Sequence, residues 1–194
     1  MIQASHQRIA RACQTIAGRI SGLYRCQRGI AAVEFALILP ILLVLLMGTV
    51  ELTRALTYDR KVTQVASTVA DLVAQATTVS TSDLADIFKV SKIILQPYPA
   101  DTLGIVVSSV EFDSDGNATV DWSRAYQTAS AWTENAAPPI DIPAAVKIAN
   151  TTIIIAVSSF NYTPMFTSVI ADNIALGETF LLRPRLVQKI PDPT

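Results

Sequence analysis

The chain is poor in the residues that carry most enzymatic chemistry. Its 194 residues include one histidine, His6, and two cysteines, Cys13 and Cys26. All three fall near the start, in a stretch that also reads as basic. The rest of the sequence therefore has no Cys–His or Ser–His nucleophile pair, no zinc site of ordinary ligands and no disulfide. Glycine is scarce, at 7 residues, and none forms a Gly-rich phosphate loop. No stripe of interleaved basic and aromatic residues suits nucleic acid. Charged residues make up only 16% and the net charge is −1, which argues against a disordered chain. Asp113, Asp115 and Asp121 are the carboxylates left for acid–base work, and they read more simply as turn and strand-end residues. The expectation is a protein that is not an enzyme, with no cofactor, no metal and no nucleic-acid partner.

What the sequence has in excess is apolar surface: 51% of residues are hydrophobic and mean hydropathy is +0.39. The excess is not spread evenly. Residues 1–29 hold Arg8, Arg11, Arg19, Arg25 and Arg28 and no acid, while residues 30–50 hold a single charge, Glu34. Residues 51–194 hold 10 basic and 15 acidic residues, a net of −5. The 21 residues from Ile30 to Val50 would span roughly 31 Å as a helix, about the thickness of a bilayer core. Phe35 to Met47 is apolar on every helical face, which a buried core helix in so short a chain could not hide. A secretory signal would have a shorter apolar run ending in small residues, and Gly48-Thr49-Val50-Glu51-Leu52 offers no convincing cleavage site. Ile9, Ala12, Cys13, Ile16, Ile20 and Leu23 share one helical face, as in an organelle transit peptide or a helix lying on an anionic leaflet. Four arginines precede the span within 20 residues, and Arg54, Arg60 and Lys61 follow it, so the positive-inside rule favours an internal N-terminus by a small margin.

Beyond the span, Leu52 to Thr77 contains no Gly or Pro. Leu52, Ala55, Leu56, Val62, Val65, Ala66, Val69, Leu72, Val73 and Ala76 recur at three- and four-residue steps, an amphipathic helix that can continue the span as one rod. Pro40 should kink that rod or remove one backbone bond. Its stripe can pack on its own chain or in a bundle with others. Asp83 to Leu95 reads as a second helix, capped by Thr81 or Ser82 and stopped before Pro97. Leu103–Phe112 and Ala118–Ser123 read as a hairpin turning at Asp115-Gly116. The D-x-D-G-N run there also resembles half a calcium loop, but Trp122, Ser123 and Arg124 do not continue the ligand series. Thr133–Pro143 reads as a long loop, Thr151–Tyr162 as a central strand and Pro164–Ile170 as a short helix. Glu178–Arg183, continuing towards Val187, reads as a last strand, with Pro184 marking an edge or a bend. Trp122, Trp132, Tyr126 and Phe160 suit a core or surface patch better than a ligand box. The fold class is thus α+β: a long N-terminal transmembrane helix extends into an outer domain with a small antiparallel sheet. Four parts are expected: a basic leader or tail (1–29), a transmembrane helix (30–50), an amphipathic continuation (51–77) and an α+β domain (78–194).

Glu34 stands five residues into the apolar segment, where a carboxylate usually needs a partner. It suits the positive end of a helix dipole, and Arg25 or Arg28 could reach it. Gly29 offers another reading. If the chain is cut after Gly29, Ile30 carries a free ammonium and Glu34 is the fifth residue, able to pair with the N-terminus of a neighbouring subunit and set a register.

Arg28-Gly29-Ile30-Ala31-Ala32-Val33-Glu34-Phe35-Ala36-Leu37-Ile38-Leu39-Pro40 resembles the start of TadE/TadG-like proteins, pseudopilin-like components of tight-adherence (Flp-type) type IV pilus systems. Gly48, Glu51 and Arg54 resemble that family's G-x-x-E-x-x-R stretch. Tyr162-Thr163-Pro164-Met165-Phe166 and Arg183-Pro184-Arg185 resemble its Y-T-P-x-F and R-P-R elements, whereas residues 78–150 carry no such likeness. The departure from the major pilins is Glu34-Phe35 where those have Glu-Tyr. The resemblance implies a single-pass protein of the bacterial inner membrane, with a cytoplasmic N-terminus and a periplasmic domain. It implies a prepilin peptidase acting between Gly29 and Ile30, and pilins or other pseudopilins and pilus platform proteins as partners. Glu34 and Phe35 would then serve assembly within the membrane. A membrane-anchored periplasmic binding module with no pilus role is the alternative.

Overall fold

The computed structural model describes residues 27–166 and 173–193, with the backbone alone at 27 and 28. The readings of the basic leader, and all but the start of the short helix expected at Pro164–Ile170, lie outside the described residues. Pro164, Met165 and Phe166 themselves are not helical. The chain divides into two compact units at Thr49 and Val50.

Helix α1 runs from Gln27 to Ala74 without interruption and contains Pro40. Proline there removes one backbone donor but does not end the helix, because the preceding apolar turns are strong helix formers. Every residue from Gly29 to Leu46 is exposed. Among the described residues α1 is the one helix long and apolar enough to cross a membrane.

In the second unit α1 is amphipathic, but its buried stripe differs from the expected one. Glu51, Tyr58, Val62, Val65, Ala66, Val69, Ala70, Val73 and Ala74 are buried, whereas Leu52, Leu56 and Leu72 are exposed. The helix also ends three residues before Thr77. The Arg185 amide donates to the Ala74 carbonyl at 2.8 Å, and the Ala76 amide turns back to Val73 at 3.1 Å. A carbonyl already paired with a distant amide no longer draws the chain into another α-turn.

Helix α2, Thr81–Leu95, begins two residues before the expected Asp83, so its cap precedes both residues read as caps from the sequence. Ser80 is the N-cap. Its hydroxyl accepts from the Asp83 amide at 3.1 Å, and its own amide donates to the Asp83 carboxylate at 2.9 Å. This reciprocal box satisfies two donors that Thr81 or Ser82 would each have left to water. The hydroxyl and amide of Ser80 hold the Asp83 carboxyl below its usual range.

Among the described residues four strands follow: β1 (Gly104–Phe112), β2 (Ala118–Gln127), β3 (Thr152–Tyr162) and β4 (Ile174–Leu182). They form one antiparallel sheet in the order β2-β1-β3-β4. The last strand starts earlier than Glu178 and ends before Arg183, so Pro184 follows it rather than bending it, and β4 is an edge. β3 lies inside the sheet, and its run Thr152–Ala156 is buried throughout. A strand covered on both faces needs no polar alternation, which is why its apolar run is continuous.

Alternate residues of β3 feed two cores. Ile154, Ala156, Phe160 and Tyr162 face α1 and α2, meeting Val62, Val65, Val69, Leu84, Phe88 and Leu95. Ile153 and Ile155 face the other way, with Val110, Phe112 and Val120, under Ile142 of the long loop. Trp122 is buried in the first core, and its indole N–H donates to the Ile190 carbonyl at 3.0 Å, drawing the C-terminal segment against the sheet.

Loss of an N-cap hydroxyl typically costs about 1 kcal/mol. Ser80→Ala should therefore lower the thermal midpoint of the full-length protein in detergent by a few degrees, and Ser82→Ala should leave it unchanged, as circular dichroism melts would show.

Candidate functional site

The residues singled out by sequence fall into two groups. Gly29, Ile30, Glu34, Phe35 and Pro40 lie on the exposed part of α1. Among the described residues Glu34 makes no ion pair or hydrogen bond, and Gly48 has nothing within 4 Å of where a Cβ would stand. Arg25 and the Arg28 side chain lie outside the described residues.

The second group converges within the second unit, Val50–Thr194, hereafter the head. Glu51 is 2% exposed, although it is a carboxylate. It accepts a hydrogen bond from the Tyr162 hydroxyl and lies 3.1 and 3.2 Å from the Met165 amide. Burial pushes the Glu51 carboxyl up. The Tyr162 hydroxyl, the amides of Met165 and Phe166 and the nearby Arg54 guanidinium outweigh it, so the group sits below its usual range. Tyr162 is driven the other way, pushed up to about 12 by burial and by donating to Glu51. Arg54 directs Nη1 to the Met165 sulfur at 3.3 Å. Pro164 is buried and Phe166 half-buried. The turn after β3 is thereby fastened to the first turn of the head.

R-P-R fastens the other end. The Arg185 amide takes the Ala74 carbonyl and its guanidinium pairs with Asp71, while Arg183 donates to the Val146 carbonyl at 3.5 Å. Between the two ends, the Ser158 hydroxyl donates to the Val62 carbonyl at 3.0 Å. The outer half of α1 is thus tied to β3 at its beginning and middle, and to the segment after β4 at its end.

Tyr58 and Lys61 were not singled out by sequence. Tyr58 stands at 4.9 Å from Tyr162, 5.1 Å from Phe160 and 4.5 Å from Tyr98, ring centre to ring centre. Lys61 donates to the Ile94 and Gln96 carbonyls at 2.7 and 2.8 Å, closing the end of α2. Tyr58 lies seven residues after Glu51, two helical turns on the same face, and that spacing was the available signal.

At the β1–β2 turn, Asp113 spends its lone pairs locally. Its carboxylate accepts from the amides of Asp115 and Asn117 at 2.9 and 2.8 Å, and from the Asn117 side chain at 2.9 Å. Asp121 receives Lys189 at 2.7 Å. Among the described residues no group of three His, Cys, Asp or Glu could hold a metal ion.

The Glu51–Tyr162 pair sets a pH window. Glu51 has a folded pKa below its ordinary 4.5, so its contribution is complete above that value and is lost as pH falls below it. Tyr162, at about 12 against an ordinary 10.0, contributes fully below pH 10.0 and loses that contribution as pH rises towards 12. Glu51→Gln should destabilise the head by about 2 kcal/mol at neutral pH, the usual worth of hydrogen bonds to a charged group. It should also flatten the acid limb of a plot of thermal midpoint against pH.

The family model described as TadE-like protein matches residues 29–71. No curated protein and no solved structure matches the chain. The matched residues take in the exposed apolar helix, Glu34, Gly48, Glu51 and Arg54 and stop short of the sheet. Over that segment, from the apolar helix through Glu51 and Arg54 to the stripe packed on the sheet, the chain is similar to the TadE-like proteins.

Proposed function

We propose that the protein is a pseudopilin-like assembly component of a tight-adherence pilus system. Residues 30–50 anchor it in the bacterial inner membrane, the N-terminus is cytoplasmic and residues 51–194 are periplasmic. The observation that carries this reading is the family match over a helix left exposed on every face. Twelve large apolar side chains between Ile30 and Leu46 are exposed. At about 1.5–3 kcal/mol each, leaving them in water would forfeit roughly 18–36 kcal/mol. That exceeds the ~5–15 kcal/mol by which a domain is stable, so something must cover them on all sides. A bilayer does so, and neighbouring pilins or pseudopilins can replace part of it.

Glu34 is then the polar point in an apolar sleeve. In hydrocarbon it needs a partner, either an N-terminal ammonium of a neighbouring subunit or a basic residue of a platform protein. Gly29 marks the bond a prepilin peptidase would hydrolyse, leaving Ile30 as the new N-terminus. Glu34→Ala should leave the protein inserted but abolish co-purification with the pilus apparatus. Unchanged pilus production in that variant would overturn the assembly role. Intact mass of the protein from envelope fractions should correspond to a chain starting at Ile30. A species starting at Met1 or Ile2 as the major form would overturn processing.

A further inference from the structure

The apolar surface of the chain does not stop at residue 50. In the first turns of the head, Leu52 is 61% exposed and Leu56 49%. On a helix of 3.6 residues per turn these two lie about 100° and 140° round from the buried Glu51. Arg54 lies about 60° round in the opposite sense. On that second flank Met165 is held by Glu51 and Arg54, and it too is 61% exposed. Exposed apolar side chains therefore stand on both flanks of the same short stretch of helix.

Charge is arranged to match. The head as a whole is acidic, yet Arg54, Arg60 and Lys61 cluster in its first eleven residues against Asp59 and the buried Glu51. Arg60 is exposed. A protein groove would cover one flank of this helix. A covering that meets both flanks, tolerates flexible side chains and offers negative charge just beyond an apolar layer is a lipid surface.

We infer that the foot of the head is seated in the membrane interface. Leu52, Leu56 and Met165 enter the boundary between headgroups and acyl chains, and Arg60 lies at the depth of the lipid phosphates. This rests on the membrane reading of residues 30–50 and goes beyond it, since it assigns lipid contacts to residues of the head. The Glu51–Tyr162 latch then works at the water–lipid boundary, and the depth of the head is set by its own side chains.

The test uses the full-length protein with Cys13→Ser and Cys26→Ser, carrying one new cysteine labelled with an environment-sensitive fluorophore. It is reconstituted in vesicles of phosphatidylethanolamine and phosphatidylglycerol with or without nitroxide-labelled lipid. Labels at Leu43→Cys, Leu52→Cys, Leu56→Cys and Met165→Cys should emit to the blue and lose most of their emission to the nitroxide. Ile148→Cys is an exposed apolar control near Thr151, at the end of the sheet away from Tyr162, and should emit as in water. Quenching at Leu43 with water-like emission at Leu52 and Leu56 would overturn the seating while leaving the span intact. Blue emission at Leu52 and Leu56 without nitroxide quenching would overturn it in favour of a protein cover. An unquenched Leu43 would overturn the span and the seating together. If the Met165 variant fails to fold, the two leucine positions carry the test.

Discussion

A buried carboxylate is the fastening on which the head depends. Glu51 is out of water, and an ionised group there is tolerated only because Tyr162 and the Met165 amide supply hydrogen bonds. Those partners come from the end of β3, more than a hundred residues further along the chain. The sheet therefore has to be assembled, and β3 has to end where it does, before Glu51 can be satisfied. Conversely, once α1 and β3 are in contact, a shift of either by one residue would leave the carboxylate buried without partners. Breaking such a pair costs far more than a surface ion pair, of which Arg185–Asp71 at the other end of the helix is an example.

The apolar contacts between those ends follow from side-chain shape. The stripe of α1 against the sheet is Val62, Val65, Val69 and Val73 with Ala66 and Ala70. Small and β-branched residues let a helix lie close to a sheet whose facing residues, Ile154 and Ala156, are themselves compact. Larger rings gather at the Glu51 end of the contact. Tyr58, Tyr98, Phe160 and Tyr162 cluster around the Glu51–Tyr162 pair, and the tilted contact with Tyr58 restricts the Tyr162 ring whose hydroxyl must reach Glu51.

Periodicity made much of this legible. The apolar run to Val50, the three- and four-residue spacing beyond it and the β-branched stretch ending at Tyr162 each point to one kind of element. What periodicity could not reveal was which apolar residues are covered. Leu52, Leu56 and Leu72 belong to the same pattern as Val62 and Val69, yet they face away from the sheet. Tyr58, between Arg54 and Arg60, carries nothing in its spacing that separates a buried ring from a surface one. Three consecutive hydroxyl residues, Ser80, Thr81 and Ser82, offer the same capping chemistry before α2, and only Asp83 at the right distance selects Ser80. The end of α1 depended on Arg185, whose amide reaches Ala74 from across the chain. Likeness to the TadE/TadG-like proteins singled out Glu51, Tyr162 and Arg185, but not what each would touch.

Helix α1 carries two carboxylates in its first twenty-five residues, and the structure treats them oppositely. Glu51 is satisfied within the chain and contributes to holding the head together. Glu34 finds no partner among the described residues and sits among side chains that offer none. An apolar residue at position 34 would make a better anchor, because a carboxylate in hydrocarbon costs free energy unless it is paired. A group that weakens anchoring and adds nothing to the fold gains its value when a second molecule supplies the countercharge. Pairing of that kind selects one partner and one axial position from the many that a smooth apolar helix would accept. On the assembly role proposed for Glu34, the two acids separate two tasks along one helix: Glu51 specifies how the chain folds on itself, and Glu34 would specify where it docks.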